Sequence, residues 1–130
     1  VNIAAYIGLP YAPKGRGSEG VDCWGLVQLF YQRELGIAVP SYVEEYVSPD
    51  DRLTVSQAIL ANIGKWEAAL TLEPGDMLLF SILGLPLHTG VYIGDNDFLH
   101  AFRNTNSCIE RLNSITWGRR LIGAYRWTIN

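Results

Sequence analysis

The two halves of this chain are written in different periods, and that change limits the fold more than any single motif does. From Cys23 to Leu35 the apolar residues Leu26, Val27, Phe30, Tyr31 and Leu35 recur at helical spacing, and Gly36 is placed as a C-terminal cap. "TVSQAILANIGKW" predicts a second helix, with Thr54 and Gln57 positioned as a capping box. After Pro74 the pattern becomes that of strands. "LEPGDMLLF" predicts a turn and a buried strand. "HTGVYIGDNDFLHAF" predicts two strands around a turn that holds Gly94, Asp95 and Asn96, and "SCIERL" and "LIGAYRW" predict one strand each. Helices first and strands afterwards predict an α+β domain, with helices packed to one side of an antiparallel sheet.

Outside these elements, the first ten residues predict a short helix that stops at Gly8 and Pro10. "APKGRGSEG" and "AVPSYVEEYVSPDD" predict loops. A length of 130 residues predicts a single domain over residues 1–130. No apolar run reaches the length of a membrane span, so membrane insertion is not expected. "VNIAAYIGLP" lacks the basic stretch and apolar core of a secretory leader, and none is expected there. Ten basic against thirteen acidic residues, a net charge of −3, leave no electrostatic footprint for nucleic acid. Arg119, Arg120 and Arg126 read as a solvated face. Two cysteines, Cys23 and Cys108, are too few for a disulfide scaffold, although they can pair in an oxidising compartment.

The chemistry centres on "GVDCWGLV". Asp22 is a favoured N-cap type, and the helical pattern starts directly after it. Cys23 then lies in the first turn, where unpaired N–H groups and the helix dipole favour a thiolate. The Asp22 carboxylate opposes that effect, so the helix terminus does not suffice, and an imidazole is needed to take the proton. The chain has two histidines, His88 and His100, both in the predicted hairpin. A three-residue loop at Gly94-Asp95-Asn96 would set His100 opposite Gly90 and diagonal to His88, on one face. A two-residue loop with no bulge would put the two on opposite faces. Three readings stay open at this level: a thiol nucleophile with His88 as base and His100 orienting it, a structural set without chemistry, and a zinc site of Cys23, His88 and His100. Cys108, which opens a predicted strand with no histidine near it in sequence, reads as a packing residue; a bond from it to Cys23 would abolish the nucleophile.

"DCWGLV" resembles the D-C-S-G-L-V signature of the NlpC/P60 family, papain-like cysteine peptidases that hydrolyse the bacterial cell wall. "IGLPYAPKGRGSEGVDCWGLV", "LEPGDMLLF" and "HTGVYIGDNDFLHA" are similar to further motifs of that family, in the family's order, from about Ala4 to Phe102. The resemblance implies a papain-like fold, N-terminal helices on a central antiparallel β-sheet, with Cys23 as nucleophile, His88 as general base and His100 as the residue orienting it. It implies that Tyr11, Asp22 and Trp24 line the oxyanion and substrate positions, and that no metal or organic cofactor is required. The implied partner is a stem peptide of peptidoglycan, cut at the bond between the γ-carboxyl of D-glutamate and a diamino acid. The implied place of action is the bacterial wall, in the periplasm or at a phage tail. The family's serine after the cysteine is Trp24 here. "DCWG" with "LGIAVPSY" looks closer to the phage-type branch, whose further partners are tail proteins. A structural tail or wall-binding module with the same fold and little turnover is the alternative.

Overall fold

The structure, a computed structural model, describes residues 2–128. It is α+β, as the change of period predicts. A small hairpin of β1 (Arg16–Gly17) and β2 (Gly20–Val21) leads into α1 (Cys23–Phe30), and α2 (Arg52–Asn62) follows after a loop. The strands are β3 (Trp66–Ala68), β4 (Met77–Ile82), β5 (Leu85–Gly94), β6 (Asp97–His100), β7 (Cys108–Arg111) and β8 (Leu121–Trp127). They form one antiparallel sheet in the order β3-β8-β4-β5-β6-β7, which leaves β7 outermost.

The central strands are covered on both faces, which is why "MLLF" is apolar without a break. Met77, Val91 and Leu99 join Leu26, Val27 and Phe30 of α1 in one cluster. Leu78, Phe80 and Phe98 point the other way and pack with Leu112 and Trp117 in a second. Side chains of this kind, fully buried, contribute about 1.5–3 kcal/mol each relative to exposure. The turn before β4 is tied to the last strand. Asp76, 2% exposed, takes the Arg126 guanidinium on both oxygens, at 2.6 and 3.0 Å. Arg126, 37% exposed at its side chain, is thus more than part of a solvated face: charge-assisted bonds to a buried carboxylate hold it. Arg120 also departs from that reading, since its guanidinium lies 5.2 Å from the Trp117 ring.

Several local expectations are corrected. α1 is followed by a π-helical turn, Tyr31–Leu35, which Gly36 ends at φ 66°, so the cap is where the sequence puts it. α2 starts a turn before Thr54. Asp51 is its N-cap, accepting the Thr54 N–H at 3.3 Å and the Thr54 hydroxyl at 2.7 Å, so Thr54 and Gln57 form no capping box. Asp is as good a cap as Thr, and its longer acceptor reaches both donors. The helix stops at Asn62. Trp66 opens β3 opposite Trp127, and the two rings meet edge to face with centroids 5.0 Å apart. The predicted N-terminal helix is a 3₁₀ turn, Ile3–Tyr6, and the Gly-rich loop contains the β1–β2 hairpin.

That hairpin presses onto α1. The Gly15 carbonyl oxygen lies 1.9 Å from where a Cβ on Gly25 would sit, so the "DCWG" glycine is a requirement of packing. Gly25→Ala is expected to cost about 1–3 kcal/mol, seen as a lower urea midpoint at unchanged m. Gly64→Ala, into open space, should stay within about 0.5 kcal/mol of wild type. Equal midpoints for the two variants would contradict the close approach.

Candidate active site

Asp22 caps α1 and holds its surroundings together. Its Oδ1 accepts the Gly25 N–H at 2.9 Å and Arg16 Nη1 at 2.7 Å; its Oδ2 accepts the Lys14 N–H at 3.0 Å and the Tyr46 hydroxyl. Arg16 also donates to the Ser41 carbonyl and to the Tyr46 oxygen. With both oxygens occupied and 2% exposure, Asp22 has a structural task here, and no acceptor is left over for a substrate. Trp24, the next residue but one, donates its indole N–H to the Pro40 carbonyl at 2.9 Å and packs on Tyr42 and Trp66. Tyr11 bridges to Val21 beside the cysteine. Burial first, then the charges of Cys23 and Asp22, push its phenol up, so its hydroxyl remains a donor.

Cys23 is the first residue of α1 and is half-buried. Burial above all, and then Asp22, push its thiol up; the Thr89 hydroxyl and N–H and the more distant Arg16 pull it down by less. At rest it is a thiol, as expected where a carboxylate offsets the helix terminus. Thr89 is 2% exposed and its hydroxyl makes no full hydrogen bond. Cys23, Thr89 and Tyr42, whose hydroxyl is also unpaired, line an apolar groove whose walls include Trp24, Ile59 and Leu87.

The histidines reach one face by a different route from the predicted one. The turn has two residues, Asp95 and Asn96, both at positive φ, closed by the pair Gly94 and Asp97. A bulge at Ile93 then shifts the register so that Tyr92 meets Phe98 and Val91 meets Leu99. One more step sets His100 against Gly90, where the missing side chain leaves room: an added Cβ would lie 3.4 Å from His100 Cβ. His88 Nε2 and His100 Nδ1 are 2.8 Å apart.

Beyond them lies a residue that sequence reasoning missed. Glu110 Oε2 is 2.6 Å from His100 Nε2 and accepts the Trp117 indole N–H at 3.1 Å. Trp117 can only donate, so Oε2 acts as an acceptor and His100 carries its proton on Nε2. His100 Nδ1 is then an acceptor, His88 donates from Nε2, and His88 Nδ1 holds a free lone pair. Burial, and then His100 and Arg120, hold His88 neutral well below the usual histidine range. Burial likewise lowers His100, with Glu110 opposing.

His88 and Thr89 leave β5 on opposite faces, as neighbours on a strand must. The His88 ring packs on Phe80, Phe102 and Trp117. Cys23 lies against Thr89, beside it in the lining of the groove. No hydrogen bond links the thiol to His88 itself. Cys23 and Cys108 are both free, which removes the objection of a disulfide. Cys108 is the cross-strand partner of His100, a proximity that sequence distance concealed. Among the described residues, the donors that gather as a metal could require are His100, Cys108 and Glu110, and the set does not include Cys23.

The sequence model of the NlpC/P60 family matches residues 8–126. The chain is 30% identical over 123 residues to the "Murein DD-endopeptidase MepS/Murein LD-carboxypeptidase" of Escherichia coli (strain K12), covering 95% of this chain and 58% of that one. It is 32% identical over 126 residues to the "Gamma-DL-glutamyl hydrolase" of Bacillus subtilis (strain 168), covering 94% and 27%. The chain thus spans less than two thirds of these relatives' length. Among solved structures, an NlpC/P60 family protein from Bacillus cereus ATCC 10987 superposes with a TM-score of 0.68 at 27% identity, covering 94% of this chain and 36% of that one.

The neutral histidines set a pH dependence. Their folded pKa values lie below the ordinary value of about 6.5, so in mild acid the unfolded chain binds protons that the folded one refuses. Stability is therefore full above about pH 6.5 and falls below it, by up to about 1.4 kcal/mol per pH unit for each histidine. Thermal scans from about pH 8 to about pH 5 should show Tm falling on the acid side, and His88→Gln should flatten that fall. A wild-type Tm that rises on acidification would refute the neutral pair.

Proposed function

The chain belongs to the NlpC/P60 family, and from that membership we propose that it is a cysteine peptidase hydrolysing stem peptides of peptidoglycan. Cys23 is the nucleophile, His88 the general base, and His100 the residue that orients His88. The reading rests above all on the directed hydrogen-bond chain from Glu110 through His100 to His88, which leaves His88 Nδ1 as the one free proton acceptor. A structural protein has no need of that direction.

In the free protein the thiol lies against Thr89, and proton transfer requires it to turn to His88 Nδ1. Contacts of this kind tighten when substrate binds. His88 then becomes an imidazolium whose Nε2–H points at His100 Nδ1, and Glu110 faces the far side of the His100 ring. The thiolate attacks the carbonyl, and the oxyanion is stabilised by the Cys23 N–H and the Tyr11 hydroxyl, each donor being worth roughly 3 kcal/mol. Collapse expels the amine with the proton from His88, and water hydrolyses the thioester. The bond assigned is the one between the γ-carboxyl of D-glutamate and a diamino acid. A relative named for γ-DL-glutamyl hydrolysis supports it.

The finer reading is a phage- or prophage-derived enzyme working at the wall, together with tail proteins. It rests on Trp24 and the "LGIAVPSY" loop. These two features are physically one, since the indole bonds to Pro40 and packs on Tyr42 of that loop. The second reading, a tail or wall-binding module without turnover, draws on the same residue, because a large indole stands next to the thiol.

Defined muropeptides, followed by mass spectrometry, test the proposal. Wild type should release peptide-bond products, and Cys23→Ala should be slower by at least about a thousandfold. Equal products from both would overturn the nucleophile, and no cleavage of any muropeptide by wild type would favour the binding module. Glu110→Ala should lower kcat by about tenfold or more with KM little changed, while Glu110→Gln, whose amide oxygen still accepts, should keep most of the rate.

A further inference from the structure

We propose that His100, Cys108 and Glu110 form a regulatory site for a thiophilic divalent cation, zinc first among them, on the two outer strands of the sheet. The three donor atoms, an imidazole nitrogen, a thiol sulfur and a carboxylate oxygen, all lie within 4.8 Å of one another. Backbone register sets that spacing. His100 and Cys108 are direct cross-strand partners, and Glu110 follows two residues later on the same face of β7.

Tetrahedral zinc has bonds of roughly 2.0–2.3 Å, which asks for donors roughly 3.3–3.8 Å apart. Side-chain rotation of the half-buried Cys108 and Glu110 covers the difference. The cation inserts between His100 Nε2 and Glu110 Oε2, now 2.6 Å apart and sharing a proton. Solvent reaches the site along Glu110, 41% exposed at its side chain, while His100, at 1%, forms the floor. A mixed nitrogen, sulfur and oxygen set suits zinc better than calcium or magnesium, and three protein ligands leave the fourth position to water.

Binding releases the Cys108 thiol proton to solvent as sulfur bonds the metal. His100 must give the Nε2 lone pair to the cation, so its one ring proton sits on Nδ1. That N–H faces His88 Nε2, 2.8 Å away, which becomes the acceptor. The single proton of His88 then resides on Nδ1, the nitrogen assigned to receive the Cys23 proton. The hydrogen-bond chain runs backwards and the base is occupied. The cation thus turns the peptidase off from behind the cleft, without touching the thiol. The inhibition rests on the function proposed above; the binding does not.

Cobalt(II), a spectroscopic stand-in for zinc, tests the binding in Cys23→Ala, where Cys108 is the one remaining thiol. A thiolate-to-cobalt charge-transfer band is expected. In Cys23→Ala/Cys108→Ser it should vanish, with affinity weaker by at least the roughly 10–100-fold that loss of a mere outer-shell partner costs. No band in Cys23→Ala at excess cobalt, or an equal band in the double variant, overturns the site whatever the enzyme's activity. Zinc added to wild type should slow muropeptide cleavage by about a hundredfold or more, reversibly with EDTA. Cys108→Ser should cleave at the wild-type rate and keep that rate in zinc; Cys108→Val serves if the serine variant does not fold. Inhibition of the Cys108 variant as strong as that of wild type places the metal elsewhere and overturns the inference.

Discussion

The buried Asp22 carboxylate is the fixed point on which the rest of the site is built. One side chain closes the first turn of α1, holds the Gly-rich loop through Lys14 and Arg16, and reaches the loop after α1 through Tyr46. A carboxylate this enclosed is stable only because its acceptor capacity is fully used. Removing a partner would leave charge stranded in the interior, at a cost of several kcal/mol. The arrangement also explains why the acid stands directly before the cysteine although it disfavours the thiolate. Here positioning the thiol takes precedence over lowering its pKa.

Strand β5 divides the labour. On one side Thr89 looks into the apolar groove with Cys23; on the other His88 sits among aromatic rings that keep water from it. The thiol faces the strand on the Thr89 side. An imidazole in a dry aromatic setting stays unprotonated well into mild acid, and it relies on hydrogen bonds within the protein to fix its orientation.

Much of this was legible in the residues. The change of period yields the fold class, Gly36 the helix end, and the residue types of "GVDCWG" the capped cysteine. The hairpin register was anticipated for the wrong reason: His100 does face Gly90, yet through a two-residue turn corrected by a bulge at Ile93, because Asp and Asn both tolerate positive φ. Glu110 and Cys108 were out of reach, since their pairing with β6 depends on how the chain returns between Phe102 and Ser107, and no local pattern encodes that. Arg126 misled by its neighbours in sequence, when its partner Asp76 lies 50 residues away.

The outermost position of β7 has a consequence for local order. Its Glu110 terminates the hydrogen-bond chain, yet the strand is held within the sheet by β6 alone. Edge strands open locally at a free energy below that of global unfolding. Order in the hydrogen-bond chain therefore depends on this margin as well as on the core beneath it. Order in the hydrogen-bond chain and global stability are thus separate quantities in this fold, and a substitution can erode the first while leaving the second intact.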